Sequence, residues 1–291
     1  MTVIDAHHHV WDLAVRDQPW LAGDERAPIR RDFGVDDLRP AAAAEGVTAS
    51  VLVQTVTVAA ETPEMLALAA GDPLIQGVVG WTDLTAPGAA GELARLAAGP
   101  GGSFLAGIRH QVQAEPDPDW LRRPEVLAGL RAVAAAGLAY DLILQPHQLA
   151  VAAYAAQSVP ELTFVLDHGG SPPAAAAGLE PWAAGVRALA RCPNVTCKLS
   201  GLGAQAAPEA PPGAPPPALR TVADVILSAF GADRVMFGSD WPVCLLASDY
   251  PGVMALARAL TTGLSAAERA AVFAGTAARV YGIPEGARWR R

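Results

Sequence analysis

Short apolar runs recur along the chain, and longer alanine-rich stretches separate them. The runs are almost continuously apolar and lack strict alternation of apolar and polar residues, which is typical of parallel strands covered on both faces. Eight of them are predicted to be strands: Val3–Val10, Ser50–Thr55, Gln76–Trp81, Leu105–His110, Ala139–Gln145, Thr163–His168, Val195–Ser200 and Val235–Asp240.

Helical patterns fill the stretches between these runs, and two more follow the last run. Several begin at proline or an acidic residue and end near glycine, as helices commonly do. The predicted helices are Val35–Glu45, Pro63–Ala70, Gly88–Ala98, Pro124–Ala136, His147–Ala156, Ala174–Arg191, Leu219–Phe230, Gly252–Leu260 and Ser265–Tyr281. Strands alternating with helices predict one α/β domain over residues 1–291, a (β/α)₈ TIM barrel with extra C-terminal helices, and disfavour a doubly wound sheet.

Composition and charge narrow the class of protein. The 291 residues are 52% hydrophobic, and the net charge of −8 comes without a basic cluster, which argues against nucleic acid as a partner. The amino-terminal sequence MTVIDAHHHV lacks the regions of a secretory signal, and no apolar run reaches the roughly 18 residues that cross a membrane. We therefore expect a cytoplasmic protein that acts on a small molecule away from membranes. The oligomeric state cannot be read from the sequence.

One proline-rich segment of low complexity, Ala206–Ala218, follows the seventh predicted strand. It is interpreted either as a mobile surface loop or as a lid beside an active site.

All six histidines lie at, or just past, the C-terminal end of a predicted strand: His7, His8, His9, His110, His147 and His168. In a (β/α)₈ barrel, that end is where catalytic groups gather. Side chains alternate along a strand, so His7 and His9 are predicted to point into the barrel and His8 toward the helices. Two convergent imidazoles form half of a site for a metal such as zinc.

An aspartate ends the last predicted strand, in Phe237-Gly-Ser-Asp-Trp-Pro242. The Asp240 carboxylate there is suited to bind a metal cation or to take a proton from attacking water. His168 ends the sixth strand in front of two glycines, and His147 follows the fifth, so both are further candidates for the site.

Other polar side chains share the same rim and are predicted to contact substrate: Gln54, Trp81, Arg109, His110 and Lys198. The cations Arg109 and Lys198 are suited to hold an anionic or hydroxyl-rich substrate or to stabilise an oxyanion. A salt bridge on the helix side is the alternative interpretation for either cation.

Four segments carry a family resemblance: Ile4–Asp12, Leu166–Gly170, Lys198–Gly201 and Met236–Val243. They resemble the amidohydrolase-2 branch of the amidohydrolase superfamily, and within it the sugar-lactone hydrolases of the L-fuconolactonase and L-rhamnonolactonase type. The resemblance runs from Asp5 to Tyr281. It implies a barrel enzyme that opens a cyclic ester, such as an aldono-1,4-lactone, by attack of water.

The resemblance also implies roles for individual residues. His7 and His9 match metal ligands, Asp240 matches a ligand or general base, and His147 and His168 match the histidines of strands five and six. We predict one divalent ion, zinc by choice of ligands, on His7, His9, His147 and Asp240, with Asp240 and His168 catalytic. The fourth strand offers no bridging lysine, so a second metal is not expected. Related pyrone-dicarboxylate lactonases work without metal, which leaves metal independence open.

Two other functions stay open at this point. Carboxy-lyases that act on aromatic or unsaturated acids share the His-x-His pair, the two later histidines and the terminal aspartate. A degenerate barrel that only binds sugars is the non-enzymatic alternative. A lactonase releases a proton in each turnover, whereas a decarboxylase releases carbon dioxide.

Overall fold

Eight parallel strands, hydrogen-bonded in sequence order, make one sheet that curls into a nearly closed barrel. The computed structural model describes residues 2–173, 178–202 and 215–284. The strands are β1 (Val3–His8), β2 (Val47–Val53), β3 (Ile75–Gly80), β4 (Leu105–His110), β5 (Ala139–Leu142), β6 (Phe164–Leu166), β7 (Val195–Leu199) and β8 (Val235–Phe237). The chain beyond β8 returns to β1, where His9 N donates to Trp241 O at 2.7 Å. The predicted barrel is confirmed.

Helices follow the strands around the outside. They are α1 (Val35–Ala44), α2 (Glu61–Gly71), α3 (Ala89–Ala98), α4 (Pro124–Ala135), α5 (Leu149–Ser158), α6 (Leu179–Ala190), α7 (Pro217–Phe230), α8 (Tyr250–Leu260), α9 (Ala266–Ala270) and α10 (Thr276–Tyr281). The predicted C-terminal helix Ser265–Tyr281 is interrupted by a π-helical turn at Ala271–Gly275. No helix in the described ranges is long and apolar enough to cross a membrane.

Two predicted segments fall partly outside the described residues. Residues 174–177, where the predicted sixth helix begins, are among those not described, and so are residues 206–214 of the proline-rich segment. The end of that segment, from Pro217, is the first turn of α7. Whether the rest is a lid stays an open prediction.

The apolar core has two layers. The larger layer lies between strands and helices, and a smaller one fills the barrel interior. Side chains from seven of the strands form the inner layer together with Ala277 and Tyr281 of α10 and the adjacent Ile283. Helix α10 therefore packs against the inside of the barrel, at the end opposite the loops that carry the histidines.

Candidate active site

The outer two of the three consecutive histidines at the end of β1, His7 and His9, meet inside the barrel. The Nε2 atoms of His7 and His9 lie 3.1 Å apart, and both side chains are buried. His8 points the other way, and its Nε2 lies 2.9 Å from Ser50 Oγ. The predicted alternation of these three side chains is confirmed.

A bulge in β1 decides which of the histidines face inward. Between the pairs Asp5–Ser50 and His8–Leu52, β1 takes three residue steps while β2 takes two. Ala6 packs in the inner layer of the core, so unbroken alternation would turn His8 inward as well. The extra residue reverses the alternation, which is how bulges re-aim side chains beside active sites.

Asp240 completes a three-residue group with these two imidazoles. Its Oδ1 lies 3.5 Å from His9 Nε2 and 3.7 Å from His7 Nε2. Asp240 has φ of 58°, a left-handed conformation that costs a non-glycine residue energy and is found where a fold holds a functional side chain in place. Its N–H donates to His7 O at 2.8 Å, which ties the two residues together through the backbone.

Gly238 lets β8 come this close to β1. A Cβ atom on Gly238 would lie 2.6 Å from His7 Cβ, far inside the normal contact distance. Ser239 then fastens the loop, because its N–H donates to Asp5 Oδ1 at 2.8 Å. Gly238 and Asp240, on either side of Ser239, thus both help to place the Asp240 carboxylate beside His7.

A hydrogen bond holds the His9 imidazole in the form that a metal requires. His9 Nδ1–H donates to Val53 O at 2.8 Å, so the neutral ring keeps its lone pair on Nε2, inside the group. His7 Nδ1 lies 3.4 Å from the Asp167 carboxylate, the kind of outer partner that orients metal-binding histidines, and 3.2 Å from Lys198 Nζ. The Nε2 atoms of the two rings lie 3.1 Å apart, close enough for one cation to bind both.

The spacing of the three donor atoms fits a tetrahedral metal ion. Zinc bonds of about 2.0–2.1 Å place the ligand atoms of a tetrahedron roughly 3.3 Å apart. The observed separations of 3.1, 3.5 and 3.7 Å bracket that value. Three ligands also match catalytic zinc sites, which keep one position for water or substrate. His7, His9 and Asp240 could therefore hold one metal ion.

Burial sets the charge of these groups. It lowers the pKa of His9 to about 3, with the nearby Arg109 charge as the next cause, and it holds the pKa of His7 well below its usual range. Burial lowers the pKa of His168 too. The same effect raises the pKa of Asp240, although neighbouring cations oppose it. The histidines are therefore neutral at neutral pH, with lone pairs available, and Asp240 is a stronger base than an exposed aspartate.

The buried charges beneath the group do not balance. Lys198 Nζ pairs with Asp141 at 2.5 Å and with Asp167 at 3.0 Å, and Arg109 pairs with Asp167 at 3.0 Å. Burial raises the pKa of Asp141 to about 6, which leaves it ionised at neutral pH. With Asp240 ionised, these three carboxylates face two cations, so negative charge exceeds positive charge around the group. A cation bound by His7, His9 and Asp240 would offset that excess.

His168 flanks the group from the end of β6. Its Nε2 lies 3.9 Å from Asp240 Oδ1, and its Nδ1 lies 2.9 Å from Ser200 Oγ. Its own φ of 53° and the φ of 65° at Gly201 are both left-handed. A Cβ on Gly201 would lie 2.7 Å from His168 Nδ1, so the glycine makes room for the ring.

Comparisons with known proteins identify the family of this chain. The family model described as Amidohydrolase (Amidohydro_2) matches residues 4–283. This chain belongs to the amidohydrolase family. Two curated relatives are L-fucono-1,5-lactonases: one from Burkholderia multivorans is 40% identical, over 97% of this chain and 96% of its own, and one from Burkholderia ambifaria is 37% identical, over 96% and 95%.

A solved structure also resembles this amidohydrolase closely. It is an amidohydrolase from Burkholderia multivorans with bound zinc, 37% identical, with a TM-score of 0.89 over 98% of this chain and all of that one. The decarboxylases, which represent the alternative function, resemble this chain only distantly. A 5-carboxyvanillate decarboxylase from Sphingomonas paucimobilis is 16% identical with a TM-score of 0.68, which concerns the fold alone.

One predicted ligand of the amidohydrolase site lies elsewhere. β5 ends at Leu142, and His147 belongs to a short 3₁₀ turn, Pro146–Gln148, five residues later. Its side chain is exposed. Among the described residues, two groups have donor atoms close enough to share a metal ion, His7–His9–Asp240 and His7–Asp167–His168, and His147 is in neither. The structure does not bring His147 to His7 and His9, and we drop it from the ligand set.

Three residues predicted to contact substrate, Lys198, Arg109 and Gln54, instead bond to other buried side chains of the protein. Lys198 is fully buried between Asp141 and Asp167. Arg109 is 2% exposed and donates to Gln54 Oε1 at 2.8 Å, and Gln54 is fully buried. Lys198 pairs with Asp141 two strands away, and Arg109 pairs with Asp167 and Gln54, each two strands from its own; sequence patterns do not show such pairs. These side chains lie beneath the group of His7, His9 and Asp240.

The remaining two predicted substrate residues form an aromatic wall. Trp81 Nε1–H donates to His110 Nδ1 at 3.0 Å, and the His110 ring stacks on Trp120 with centroids 4.3 Å apart. His110 Nε2 lies 2.7 Å from Glu115. Trp81 follows β3 and His110 ends β4, at the same end of the barrel as the group of His7, His9 and Asp240, and both side chains are half-buried.

Sequence reasoning missed two acidic residues of the site, Asp141 and Asp167. Both are fully buried. A signal was present, because each is a lone carboxylate inside or directly after an otherwise apolar strand, where an unpaired charge is costly. Such a residue requires a cation as partner, and Lys198 is the only lysine in the sequence.

Proposed function

We propose that this amidohydrolase is a lactonase that opens a sugar lactone by attack of water. L-Fucono-1,5-lactone is the first substrate to test, because two relatives that match almost the whole chain carry that activity in their names. The observation that carries the proposal is the meeting of His7, His9 and Asp240, with His168 beside them, at the loop end of the barrel. A cytoplasmic location and a role in carbohydrate metabolism belong to the same proposal and stay predictions.

Asp240 is the general base of this proposal. It takes a proton from water as the water oxygen attacks the lactone carbonyl carbon, and its burial makes it basic enough to do so. Collapse of the tetrahedral intermediate breaks the ring C–O bond and leaves an alkoxide.

His168 is placed to carry that proton from Asp240 to the alkoxide. Its Nδ1–H can donate to Ser200 Oγ, which leaves the lone pair of the neutral ring on Nε2, the atom that faces Asp240. Nε2 takes the proton that Asp240 removed from water and passes it to the alkoxide, which restores both side chains. The product hydroxy acid ionises at neutral pH, so each turnover releases one proton.

His7, His9 and Asp240 hold a single divalent cation in this proposal, and zinc suits the two imidazoles and one carboxylate. When bound, such a cation supplies Lewis acidity that polarises an oxygen beside it. Asp167 and Lys198 keep His7 in place, and Arg109 carries its charge next to the same imidazole, 3.4 Å from Nε2. The wall of Trp81 and His110 is the proposed contact for the sugar ring.

The proposal is tested by following proton release from a panel of 1,5- and 1,4-aldonolactones with a pH indicator. Replacing Asp240 by Asn keeps the shape of the side chain but removes the proton acceptor. We expect kcat/KM to fall by about 10²–10⁴-fold, the typical contribution of a general base, and further if the metal is lost.

The matched control is His147→Asn, an exposed histidine at the same end of the barrel. It should keep kcat/KM within about twofold, since exposed substitutions away from a site have small effects. Wild-type lactonase activity in a folded Asp240→Asn variant would refute the assignment of the base. A wild-type protein that releases carbon dioxide from aromatic acids and opens no lactone would refute the function.

A further inference from the structure

A line of buried contacts joins the C-terminal helix to the metal-binding group. Tyr281, the last residue of α10, donates its hydroxyl to Asp141, 2.8 Å from Oδ2 and 3.0 Å from Oδ1. Asp141 Oδ2 lies 2.5 Å from Lys198 Nζ, and that ammonium lies 3.2 Å from His7 Nδ1 and 3.0 Å from Asp167 Oδ1. Nothing in the proposed reaction uses Tyr281 or Asp141 directly.

We infer that Tyr281 is a positioning residue for His7, acting through Asp141 and Lys198. The inference rests on the proposed function in one respect, namely that His7 binds the metal. It assigns the C-terminal helix a part in the active site, although that helix lies at the other end of the barrel.

The hydroxyl of Tyr281 fixes the orientation of the Asp141 carboxylate. In the part of the chain that the structure describes, Oδ1 accepts a hydrogen bond only from Tyr281, whereas Oδ2 is shared with Lys198. Without that donor, a fully buried carboxylate oxygen is left unsatisfied, which is costly in a medium of low polarity. The carboxylate would then rotate to bring both oxygens toward the remaining donor.

Rotation of Asp141 changes the position of Lys198. A lysine ammonium is a point charge on a flexible four-carbon side chain, so its acceptors determine where it lies. Lys198 is held between Asp141 and Asp167, and Asp167 is the carboxylate that faces His7 Nδ1 at 3.4 Å. Movement of the ammonium therefore alters the contacts that orient the His7 ring.

The chain supplies a matched control on the neighbouring residue. Tyr140 precedes Asp141 on β5 and is fully buried, but its hydroxyl has no hydrogen-bond partner among the residues that the structure describes. Tyr140→Phe and Tyr281→Phe both remove one buried hydroxyl, and only the second breaks the line to His7. Phe at position 281 also keeps the ring that lies 5.3 Å from Lys198 Nζ.

The test measures zinc affinity by competition with a chromophoric chelator, with zinc alone as the probe. Loss of an outer partner of a metal ligand typically weakens metal binding by about 10–100-fold. Tyr281 acts through two intervening side chains, so we expect about tenfold weaker binding for Tyr281→Phe and a change under about twofold for Tyr140→Phe. With saturating zinc, kcat for the lactone should fall in Tyr281→Phe while KM stays unchanged.

A second variant tests whether Tyr281 acts through Asp141. Asp141→Asn should weaken zinc binding at least as much as Tyr281→Phe, and the double variant should be little worse than Asp141→Asn alone, because both act along one line. Equal zinc affinities for the two tyrosine variants, or strictly additive losses in the double variant, would overturn the inference. A wild-type protein that binds no zinc would overturn it as well.

The same measurements separate this inference from the proposed function. A wild-type protein that binds zinc but opens no lactone refutes the lactonase proposal, and the difference in zinc affinity between Tyr281→Phe and Tyr140→Phe still decides the role of Tyr281.

Discussion

The close approach of β8 to β1 at Gly238 offers a sharp test of the site geometry. Gly238→Ala adds one methyl group 2.6 Å from His7 Cβ, 3.2 Å from His7 N and 3.2 Å from Ser200 Cβ. Gly238 is not among the residues with positive φ, so alanine meets no backbone restriction there. The effect of the substitution is therefore the contact alone.

The contact sets the size of the displacement. Carbon atoms that are not bonded normally lie about 3.5–4.0 Å apart, so β8 and β1 must separate by roughly 1 Å. The Asp240 and Ser239 amides bond to His7 O and Asp5, which means that this separation strains the bonds that align Asp240 with His7. A misplacement of about 1 Å can cost about 10²-fold in rate, and overpacking typically costs about 1–3 kcal/mol of stability.

Proton release from the lactone at 25 °C gives kcat/KM, and urea unfolding gives the free energy of unfolding. We expect Gly238→Ala to lose about 10²-fold in kcat/KM. The control is Gly91→Ala within α3, where a Cβ meets nothing within 4 Å. Alanine is the better helix former, so this variant should gain about 0.5–1 kcal/mol and keep its activity. Wild-type activity in Gly238→Ala would refute the argument from contact distances.

Two further outcomes follow from the site. His168→Asn should lower kcat by about 10²–10⁴-fold, because the group that protonates the leaving alkoxide is lost. His8→Asn should keep kcat and lose stability, because His8 contacts Ser50 and not the site. Kinetics and urea unfolding of both variants check this, and equal rate losses would contradict the assigned orientations of the two side chains. Removal of metal by a strong chelator should abolish activity, zinc should restore it, and elemental analysis should find no more than one ion per chain. Full activity after chelation, or two ions per chain, would refute the single-metal proposal.

Much of this site could be predicted from the sequence because strand ends in a (β/α)₈ barrel converge. The placement of His7, His9, His168 and Asp240 at the ends of apolar runs was enough to predict their meeting. His147 met the same rule but not the same outcome, since β5 ends early and a 3₁₀ turn carries this side chain to the surface. The apolar pattern did not show where β5 ends, and so it did not show that His147 lies five residues beyond that end.

The sequence also did not predict which side chains pair with each other across the barrel. Lys198 and Arg109 were predicted to bind substrate, because the sequence shows a cation at a strand end but not what faces it. Asp141 and Asp167, from two other strands, pair with these cations in the buried interior. Once paired and buried, these cations contact His7 and not the substrate.

The architecture could be predicted from the sequence, since eight apolar runs that alternate with helices favour a (β/α)₈ barrel over a doubly wound sheet. The sequence also determined which residue types reach the loop end. The inward direction of His7 and His9 was predicted as well, but the bulge between Asp5 and His8 that produces it, by reversing the alternation begun at Ala6, is visible only in the tertiary structure. A bulge arises from the pairing of β1 with β2, and pairing is a property of two strands together that neither strand carries in its own sequence.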